Sequence, residues 1–314
     1  MKVAVLKGGA SLERTVSLRS GARVEDALAR LGHDVVPIDV GADLVDRLEA
    51  ERPDVAFVAL HGRGGEDGTV QELLELLGIP YTASGPSACI RCMDKVVAKH
   101  ALRDAGIPTP DFYAFSQAAF ADLGAARALP AIEERLGFPI VVKPAGQGSA
   151  LGIKFARTAE DVPGALVAAF SYDTKVLLER YVPGRDLAVS VLDVPDGPEA
   201  LPAVEAIPNE EDFYDFEARY EIGRTRFVCP AELPPEVSAR AQELALATWR
   251  TLGCAGFARI DLMTDGDELT VIEANAIPGL TDTSLLPLAA DAAGIDFDAF
   301  VARVLDLAVA AATA

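Results

Sequence analysis

The chain has 314 residues, of which 50% are hydrophobic and 24% charged, so it can bury several domain-sized cores and is neither disordered nor fibrous. Its 28 Lys and Arg residues against 48 Asp and Glu residues give a formal net charge of −20, which argues against nucleic acid or an anionic membrane surface as a partner. A nucleotide is still compatible with this charge, because a few basic side chains and a metal ion in one cleft neutralise its phosphates.

The start of the chain and its cysteines indicate a cytoplasmic protein. The run from Lys2 to Leu6 reads directly as a strand, without the basic segment and apolar stretch of a signal peptide, and no stretch approaches the roughly 18 apolar residues of a membrane span. Four cysteines are too few to cross-link a chain of this length, so we expect free thiols. Cys89 and Cys92 form a lone CxxC pair, for which a structural role is expected over a redox or zinc site.

Residues 1–86 alternate short apolar runs with helical patterns. The runs VAVL, DVVPIDV and DVAFVAL are typical of buried strands, and helical spacing follows the first and the third. Such alternation predicts strand–helix–strand units and a largely parallel sheet. The apolar positions of the first helix are Val16, Leu18, Val24, Ala27 and Leu31.

Beyond residue 86 the predicted strands follow one another more closely. Helices are expected over 94–106, from Pro235 to Leu252, and from Ser284 onward, and Pro183-Gly184 predicts a hinge. Three domains of mixed α/β and α+β type fit this pattern, with boundaries at 1–86, 87–183 and 184–314. The expected strands are FPIVVK (138–143), SALGIKFA (149–156), VLLERYV (176–182), LAVSVLDV, PAVEAI, FARIDLM and LTVIEANAI.

A glycine-rich run, KPAGQGSALGIK from Lys143 to Lys154, lies between two strand patterns. A Walker A loop or a Rossmann turn would open a helix and has a different glycine spacing. A glycine hairpin between antiparallel strands can instead fold over a triphosphate, offering N–H groups while Lys143 supplies positive charge. An ordinary flexible turn is the alternative for this run.

Two late strands, FARIDLM and LTVIEANAI, carry charged residues inside apolar patterns. The period of two places Arg259 and Asp261 on one face, and Glu273 and Asn275 on one face of the next strand. If the two faces coincide, Asp261, Glu273 and Asn275 converge as the oxygen donors that Mg²⁺ prefers. A structural ion-pair network is the alternative, but two carboxylates against one Arg would need a further cation.

Several loop residues are candidate ligand contacts. GGASLER and HGRGGEDG follow strands at the edge where α/β sheets bind ligands, which makes Glu13 a candidate ammonium partner and His61 a candidate contact. In IPGLTDTSL, Gly279 can expose an N–H and Ser284 can cap a helix whose N-terminus attracts a carboxylate. Glu179 in VLLERY is a candidate acceptor for an adenine amine. The alternatives are a helix-start Glu, a loop His, a plain N-cap and a solvent-facing Glu.

These runs together resemble the D-alanine–D-alanine ligases of the ATP-grasp superfamily over nearly the whole chain. The resemblance implies a three-domain ATP-grasp fold with a Rossmann-like parallel sheet in the N-terminal substrate domain. It also implies ATP and Mg²⁺ (two ions, with Mn²⁺ as a substitute) between the central and C-terminal domains, a homodimer, and the joining of two D-alanines for peptidoglycan synthesis. The runs that carry it are VAVLKGGASLERTVSLRSG, ALHGRGGEDGTVQELLELLGIPYTASG, MDKVVAKHAL, VVKPAGQGSALGI, VLLERYVPGRD, FYDFEARY, FARIDLM and VIEANAIPGLTDTSLLP.

The resemblance also implies a role for individual residues. The implied catalytic residues are Glu13, Ser149, Tyr220, Arg259, Gly279 and Ser284. The implied nucleotide contacts are Lys95, Lys143, Ser149, Glu179, Asp186, Tyr214 and Arg219. The implied substrate contacts are Glu13, His61, Arg259, Gly279, Ser284 and Leu285. The implied magnesium ligands are Asp261, Glu273 and Asn275.

Four residues depart from the pattern of the family, namely Arg180, Asp186, Arg219 and Ala276, and the first three keep the charge of the usual residue. Tyr220 is retained, which favours an amine over a hydroxy acid as the second substrate. Another ATP-grasp carboxylate–amine ligase, for D-Ala-D-Ser or a specialised dipeptide, is the nearest alternative. A non-catalytic nucleotide-binding protein is a further one, which the acidic set and Arg259 disfavour.

Overall fold

The structure is a computed structural model that describes residues 1–208 and 223–312. Three of the implied site residues, Tyr214, Arg219 and Tyr220, lie outside the described residues. The described chain forms three separate β-sheets with helices packed on them. The mixed α/β and α+β class expected from the sequence is therefore confirmed, whereas the domain boundaries stay a prediction.

The first sheet is parallel, as the strand–helix alternation predicts. Its central strand β1 (Lys2–Lys7) lies between β2 (Asp34–Asp39) and β3 (Val55–Val58), and every residue of β3 is buried. Leu31, the last of the apolar positions expected for the first helix, follows its final residue as the C-cap and is 38% exposed. The helices of this part are α1 (Arg14–Arg30), α2 (Leu44–Glu51) and α3 (Thr69–Leu77).

Two helices follow, α4 (Pro86–Met93) and α5 (Lys95–Asp104), separated by Asp94. The Asp94 carboxylate accepts from the N–H groups of Val96 and Val97, which satisfies donors that the first turn of a helix leaves unpaired. This cap sets where α5 begins, and Lys95 is its first residue.

The second sheet is antiparallel, in the order β4-β7-β5-β6. The expected strand over 149–156 is wrong in its first part, because Ser149, Ala150 and Gly152 have left-handed φ angles of 53°, 58° and 78°. The elements of this part are β4 (Phe112–Ser116), α6 (Gln117–Asp122), a 3₁₀ turn (Ala125–Ala128), α7 (Leu129–Leu136), β5 (Ile140–Pro144), β6 (Lys154–Ala156), α8 (Val162–Phe170) and β7 (Lys175–Arg180).

The third sheet is also antiparallel, in the order β11-β10-β8-β12-β13 with β9 paired to β8. The long helix has the bounds expected from the sequence. The final helical segment is divided into two helices. The elements are β8 (Arg185–Val194), β9 (Gly197–Ala200), β10 (Val204–Pro208), β11 (Thr225–Val228), α9 (Pro235–Leu252), β12 (Phe257–Asp265), β13 (Glu268–Asn275), α10 (Leu285–Ala292) and α11 (Phe297–Ala312).

The hydrophobic cores group the three sheets into two bodies. One continuous core joins the parallel sheet to the third sheet, and α11 packs on both α1 and β3, with Phe300 edge-on to Phe257 of β12 at 5.5 Å between ring centroids. The second sheet has a core of its own. Among the helices of residues 1–208 and 223–312, none has the length and apolar character needed to cross a bilayer.

Gly184, in the predicted hinge between β7 and β8, and Gly197 of β9 form a matched pair for testing whether a close backbone contact requires a glycine. Both have a φ that L-residues rarely adopt, 121° and 114°, but a Cβ at Gly184 would lie 2.1 Å from the Thr264 carbonyl oxygen, whereas one at Gly197 meets nothing within 4 Å. We expect Gly184→Ala to lower the free energy of unfolding by about 1–3 kcal/mol more than Gly197→Ala, since only the former forces the backbone apart. Thermal unfolding of the two variants measures the difference, and equal midpoints would contradict the expectation.

Candidate active site

A cleft of about 640 Å³ lies between the second and third sheets, within the range of about 300–1,000 Å³ that small-molecule sites occupy. A smaller polar pocket lies against the N-terminal part, and both contain Leu285. The predicted site residues that line the cleft are Lys143, Glu179, Asp186, Asp261, Glu273 and Leu285. Those that line the polar pocket are Glu13, His61, Ser149, Arg259, Asn275, Gly279, Ser284 and Leu285.

The pairing of β12 with β13 arranges the charged residues between the two cavities. Arg259 lies opposite Asn275 and Asp261 opposite Glu273, so the two faces coincide as the period of two predicts. Arg259 donates to both oxygens of Asp261, from Nε at 2.6 Å and Nη2 at 2.9 Å, and Asn275 Nδ2 donates to Asp261 Oδ2 at 3.2 Å. The bidentate pair holds the guanidinium plane of Arg259 in one orientation.

Lys95 supplies a cation that the strand patterns did not reveal. Its Nζ lies 3.2 Å from Glu273 Oε2 and donates to the Gln147 carbonyl oxygen at 2.9 Å. Lys95 is therefore the further cation that the two carboxylates need, and their charge balance by itself does not require a metal. The donor types still suit a hard cation, since Asp261, Glu273 and Asn275 present carboxylate and amide oxygens on one face. Among the described residues, no cluster of three or more His, Cys, Asp or Glu side chains is placed to hold a metal.

Glu13 is a buried carboxylate with one uncommitted oxygen. Ser149 donates to Oε1, while Oε2 is buried and has no hydrogen-bond partner among the described residues. Cβ atoms at Gly62 and Gly148 would lie 2.6 and 2.9 Å from Oε2, so glycines allow both loops to approach it. Burial, and then the charge of Glu66, raises the pKa of Glu13 above its ordinary value, although Ser149, His61 and Lys95 oppose the shift.

The side chain of Glu13 does not serve as a helix cap. Glu13 occupies the N-cap position of α1 but makes no side-chain capping bond. Glu13 is therefore a helix-start residue by position, but its side chain lines the polar pocket instead of capping the helix. An ammonium group is the ligand that would satisfy the uncommitted oxygen of Glu13.

His61 links three segments of the polar pocket. Its Nδ1 lies 3.2 Å from both Glu66 Oε1 and the Ile277 carbonyl oxygen, which only accept, so Nδ1 carries a proton. Its Nε2 lies 2.9 Å from the Ser20 hydroxyl. Ser20 Oγ in turn accepts from Leu280 N–H at 3.1 Å. Ser20 was missed at the level of sequence, because a Ser inside a helical pattern has no signal that separates it from a solvent-facing one.

The loop before α10 is held by its own hydroxyls and by α1. Ser284 occupies the N-cap position of α10, but its Oγ accepts from Thr281 N–H at 2.9 Å and makes no capping bond, so the expected side-chain cap is absent. A Cβ on Gly279 would lie 2.8 Å from Ser284 Oγ. Arg23 of α1 donates to the carbonyl oxygens of Leu280 and Thr281, both at 3.1 Å. These bonds keep Gly279 and Ser284 side by side at the polar pocket.

On the other wall of the cleft, Glu179 lies between two lysines. Lys143 Nζ is 2.8 Å from Oε1 and Lys99 Nζ is 2.7 Å from Oε2. Glu179 is only 3% exposed, so the solvent-facing alternative is wrong. Burial opposes its ionisation, but Lys143 and Lys99 outweigh burial and hold the pKa of Glu179 below its ordinary value.

The cysteines are free thiols, as expected. Cys89, Cys92 and Cys254 are buried, and the Sγ atoms of the last two lie 3.7 Å apart. Burial, and then the charge of Glu66, raises the pKa of Cys89, which disfavours its reactive thiolate. The structural interpretation of the CxxC pair is thus supported.

Two family descriptions match the chain. The family described as D-ala D-ala ligase C-terminus matches residues 101–306, and the one described as D-ala D-ala ligase N-terminus matches residues 42–84. Together they extend from the parallel sheet to α11. The first alone spans more than half of the chain.

Known proteins are similar over the full length. The D-alanine–D-alanine ligase of Moorella thermoacetica is 44% identical over 310 residues, covering 98% of the chain and 99% of the relative. The crystal structure of the Bacillus anthracis D-alanine–D-alanine ligase complexed with ATP matches with a TM-score of 0.84 at 32% sequence identity. The match covers 100% of the chain and 99% of the B. anthracis protein. The crystal structure of the VanG D-Ala:D-Ser ligase of Enterococcus faecalis matches with a TM-score of 0.82 at 28% sequence identity. The match covers 98% of the chain and 99% of the E. faecalis protein.

The environment of Glu13 predicts a variant that is more stable than the wild type. A pKa raised by folding means that the stability contributed by Glu13 is present below its ordinary value of 4.5 and is lost as the pH rises through the higher folded value. Glu13→Gln removes this loss, so we expect its unfolding midpoint to exceed that of the wild type at about pH 8 and the gain to shrink towards about pH 5.

Glu51→Gln is the matched control for this prediction, with the opposite sign. A hydrogen bond from Lys2 holds the pKa of Glu51 below its ordinary value, so its ionised form favours folding. Differential scanning fluorimetry over the pH range compares the two variants. A Glu13→Gln midpoint below that of the wild type at pH 8 would show that the buried carboxylate is not under strain.

Proposed function

The chain belongs to the D-alanine–D-alanine ligase family, and we propose from that premise that its cleft and polar pocket join two D-alanines at the expense of ATP, for peptidoglycan synthesis. The chain is an ATP-dependent ligase. One observation carries the proposal. The polar pocket brings Glu13 and His61 of the N-terminal part, Ser149 of the glycine-rich run, and Arg259 and Asn275 of the third sheet to one place.

In this proposal the cleft holds the nucleotide. Its adenine lies between the apolar side chains of the two sheets, with Asp186 near the ribose and the hinge after Glu179 along the base edge. Lys95 and Lys143 are the proposed phosphate contacts. Lys143 lines the cleft, and the Lys95 ammonium lies 3.2 Å from Glu273 of the cleft wall. Tyr214 and Arg219 complete the nucleotide contacts, and Arg219 adds a positive charge.

Asp261, Glu273 and Asn275 are the proposed Mg²⁺ ligands, for one or two ions, with Mn²⁺ as a substitute. The support is their donor type and their common face, with Asp261 directly opposite Glu273 and both side chains 16% exposed. Bound there, Mg²⁺ would neutralise part of the charge of the ATP phosphates. Arg259 contacts Asp261 and Lys95 contacts Glu273, and these contacts hold the two carboxylates in position when no Mg²⁺ is bound.

The first D-alanine is proposed to bind by its ammonium group. Glu13 Oε2 is a buried acceptor in need of a donor, and a substrate cation would lower the cost of ionising Glu13 in this site. His61 is fixed beside it by Ser20 and Ile277. The substrate carboxylate then attacks the γ-phosphorus of ATP, which leaves an acyl phosphate and ADP.

The second D-alanine attacks the carbonyl carbon of that acyl phosphate with its neutral amine. The new C–N bond forms as the C–O bond to phosphate breaks, which releases inorganic phosphate and the amine proton. Arg259 and the Gly279 N–H are proposed to stabilise the tetrahedral oxyanion, where loss of one donor typically costs about 10²- to 10³-fold in rate. Asp261 holds Arg259 in a fixed orientation for this purpose. Ser284, at the start of α10, and Leu285 are proposed to receive the carboxylate of the second substrate.

Water has to be kept from the acyl phosphate, which it would hydrolyse. The hydrogen bond from Ser149 to Glu13 joins the glycine-rich run to the N-terminal part, and Ser149 is held in a left-handed conformation there. We propose that Tyr220 joins this bond and completes the closure. The left-handed backbone costs about 1–3 kcal/mol, which favours a functional role for this turn.

We propose two wider features. A homodimer through the N-terminal part would cover Leu76 of α3, which is 82% exposed. Analytical ultracentrifugation tests the assembly. The reaction is placed in the cytoplasm, where ATP is supplied.

The substrate assignment predicts a strict preference for D-amino acids. Phosphate release from ATP should require D-alanine and yield D-alanyl-D-alanine, detectable by mass spectrometry, while L-alanine at the same concentration gives only background. D-Serine as the second substrate is the informative comparison, given the similarity to a D-Ala:D-Ser ligase. Activity with L-substrates alone would refute the proposed function, and a higher kcat/KM for D-serine would transfer the assignment to that substrate.

The metal assignment predicts a difference between two glutamates of β13. Glu273→Gln should raise the Mg²⁺ concentration required for half-maximal ligation by about tenfold or more, because an amide oxygen is a weaker ligand than a carboxylate. Glu268 begins the same strand and is exposed, so Glu268→Gln is the matched control and should follow the wild type. Identical Mg²⁺ titrations for all three proteins would rule out Glu273 as a ligand.

A further inference from the structure

Lys99 of α5 is a buried lysine with no assigned role. Its side chain is 1% exposed, and its ammonium lies 2.7 Å from Glu179 Oε2 and donates to Thr109 Oγ1 at 2.6 Å. It is not part of the cleft wall, because Glu179 lies between it and the cavity. A buried ammonium costs several kcal/mol in lost hydration even after relaxation, so its presence next to the cleft calls for a compensating benefit.

The arrangement has more positive than negative charge. Glu179 of β7 lies opposite Val141 of β5, and Lys143, two residues further along β5, is on the same face and reaches Glu179 diagonally. Lys99 approaches the other oxygen of the carboxylate from α5. One carboxylate is thus shared by two ammonium groups, which leaves this triad with a net charge of about +1.

We propose that Lys99 is a positioning residue for the nucleotide, which keeps Glu179 from neutralising Lys143 and so leaves the Lys143 ammonium available to an ATP phosphate oxygen. This inference rests on the proposed function only in taking ATP as the ligand of the cleft. Without Lys99, Glu179 would pair with Lys143 alone, and the cleft would lose its excess positive charge. Nucleotide affinity should then fall. The affinity for D-alanine should be unaffected, because Lys99 does not line the polar pocket.

The charge on Lys99 depends on pH in an accessible range. Burial, together with the charges of Lys143 and Arg103, outweighs the opposing effect of Glu179 and lowers the pKa of Lys99 to about 8. These groups come from β5, α5 and β7. Below about pH 8 Lys99 is charged and shares Glu179; above it, Lys99 loses its proton and the wild type should behave as if the charge had been removed.

The test compares Lys99→Met, Lys99→Arg and the control Lys7→Met. Lys7 also makes a partly buried ion pair of 2.7 Å, with Glu25 in the N-terminal part, away from the cleft. Binding of a non-hydrolysable ATP analogue with Mg²⁺ is measured by calorimetry between about pH 7 and about pH 9. Lys99→Met should raise Kd about tenfold or more at pH 7, the Arg variant should keep most of the affinity, and Lys7→Met should match the wild type.

The pH profile separates positioning from a purely structural role. The wild type and Lys7→Met should lose affinity as the pH passes about 8, whereas Lys99→Arg, which stays charged, should show no such change. If Lys99→Met does not fold, the wild-type and Arg profiles still decide the matter. Equal profiles for these two, or a folded Lys99→Met with unchanged Kd, would overturn the proposal.

Ligation is measured in parallel to keep the two proposals apart. Lys99→Met should raise the KM for ATP and leave the KM for D-alanine unchanged. Nucleotide binding is recorded without D-alanine, so a wild-type chain that binds the analogue but forms no dipeptide counts against the proposed function alone.

Discussion

The direct pairing of Asp261 with Glu273 across β12 and β13 is the constraint around which the site is built. Two carboxylates on one sheet face repel each other and lose hydration on burial, so each requires a cation within reach. Arg259 provides one from the same strand, and Lys95 provides the other from α5. The ion pair between Lys95 and Glu273 thereby holds the start of α5 against the third sheet.

Helix α1 has a comparable role on the opposite side of the polar pocket. Ser17, Ser20 and Arg23 follow one another at helical spacing and bond to loops after β3 and β13. Polar residues on the buried side of a helix are costly unless each finds a partner, and here the partners are the backbone groups of those loops. The same contacts that satisfy α1 therefore fix the positions of His61 and Gly279.

The surroundings of two buried glutamates, Glu13 and Glu179, shift their pKa values in opposite directions. Glu13 has a hydroxyl donor on one oxygen and no hydrogen-bond partner on the other among the described residues, and its pKa is raised by burial. Burial also opposes the ionisation of Glu179, but two lysines pull its pKa down. The first is suited to receiving a substrate cation, and the second to holding basic side chains beside a substrate anion. Environments that push the pKa values of like groups apart are a common sign of divided roles in active sites.

The faces of β12 and β13, the bounds of α9 and the parallel first sheet follow from patterns within short stretches of chain, because side-chain period and strand–helix alternation are local properties. The pairing of Lys95 with Glu273, the enclosure of Glu179 by Lys99, and the left-handed turn at Ser149 were not predictable in this way. The two ion pairs, and the hydrogen bond that the turn allows from Ser149 to Glu13, join residues far apart along the chain. A lysine in a helical pattern looks the same whether water or a buried carboxylate surrounds it. Only the packing of α5 between the two antiparallel sheets shows which lysines of this helix contact a buried carboxylate.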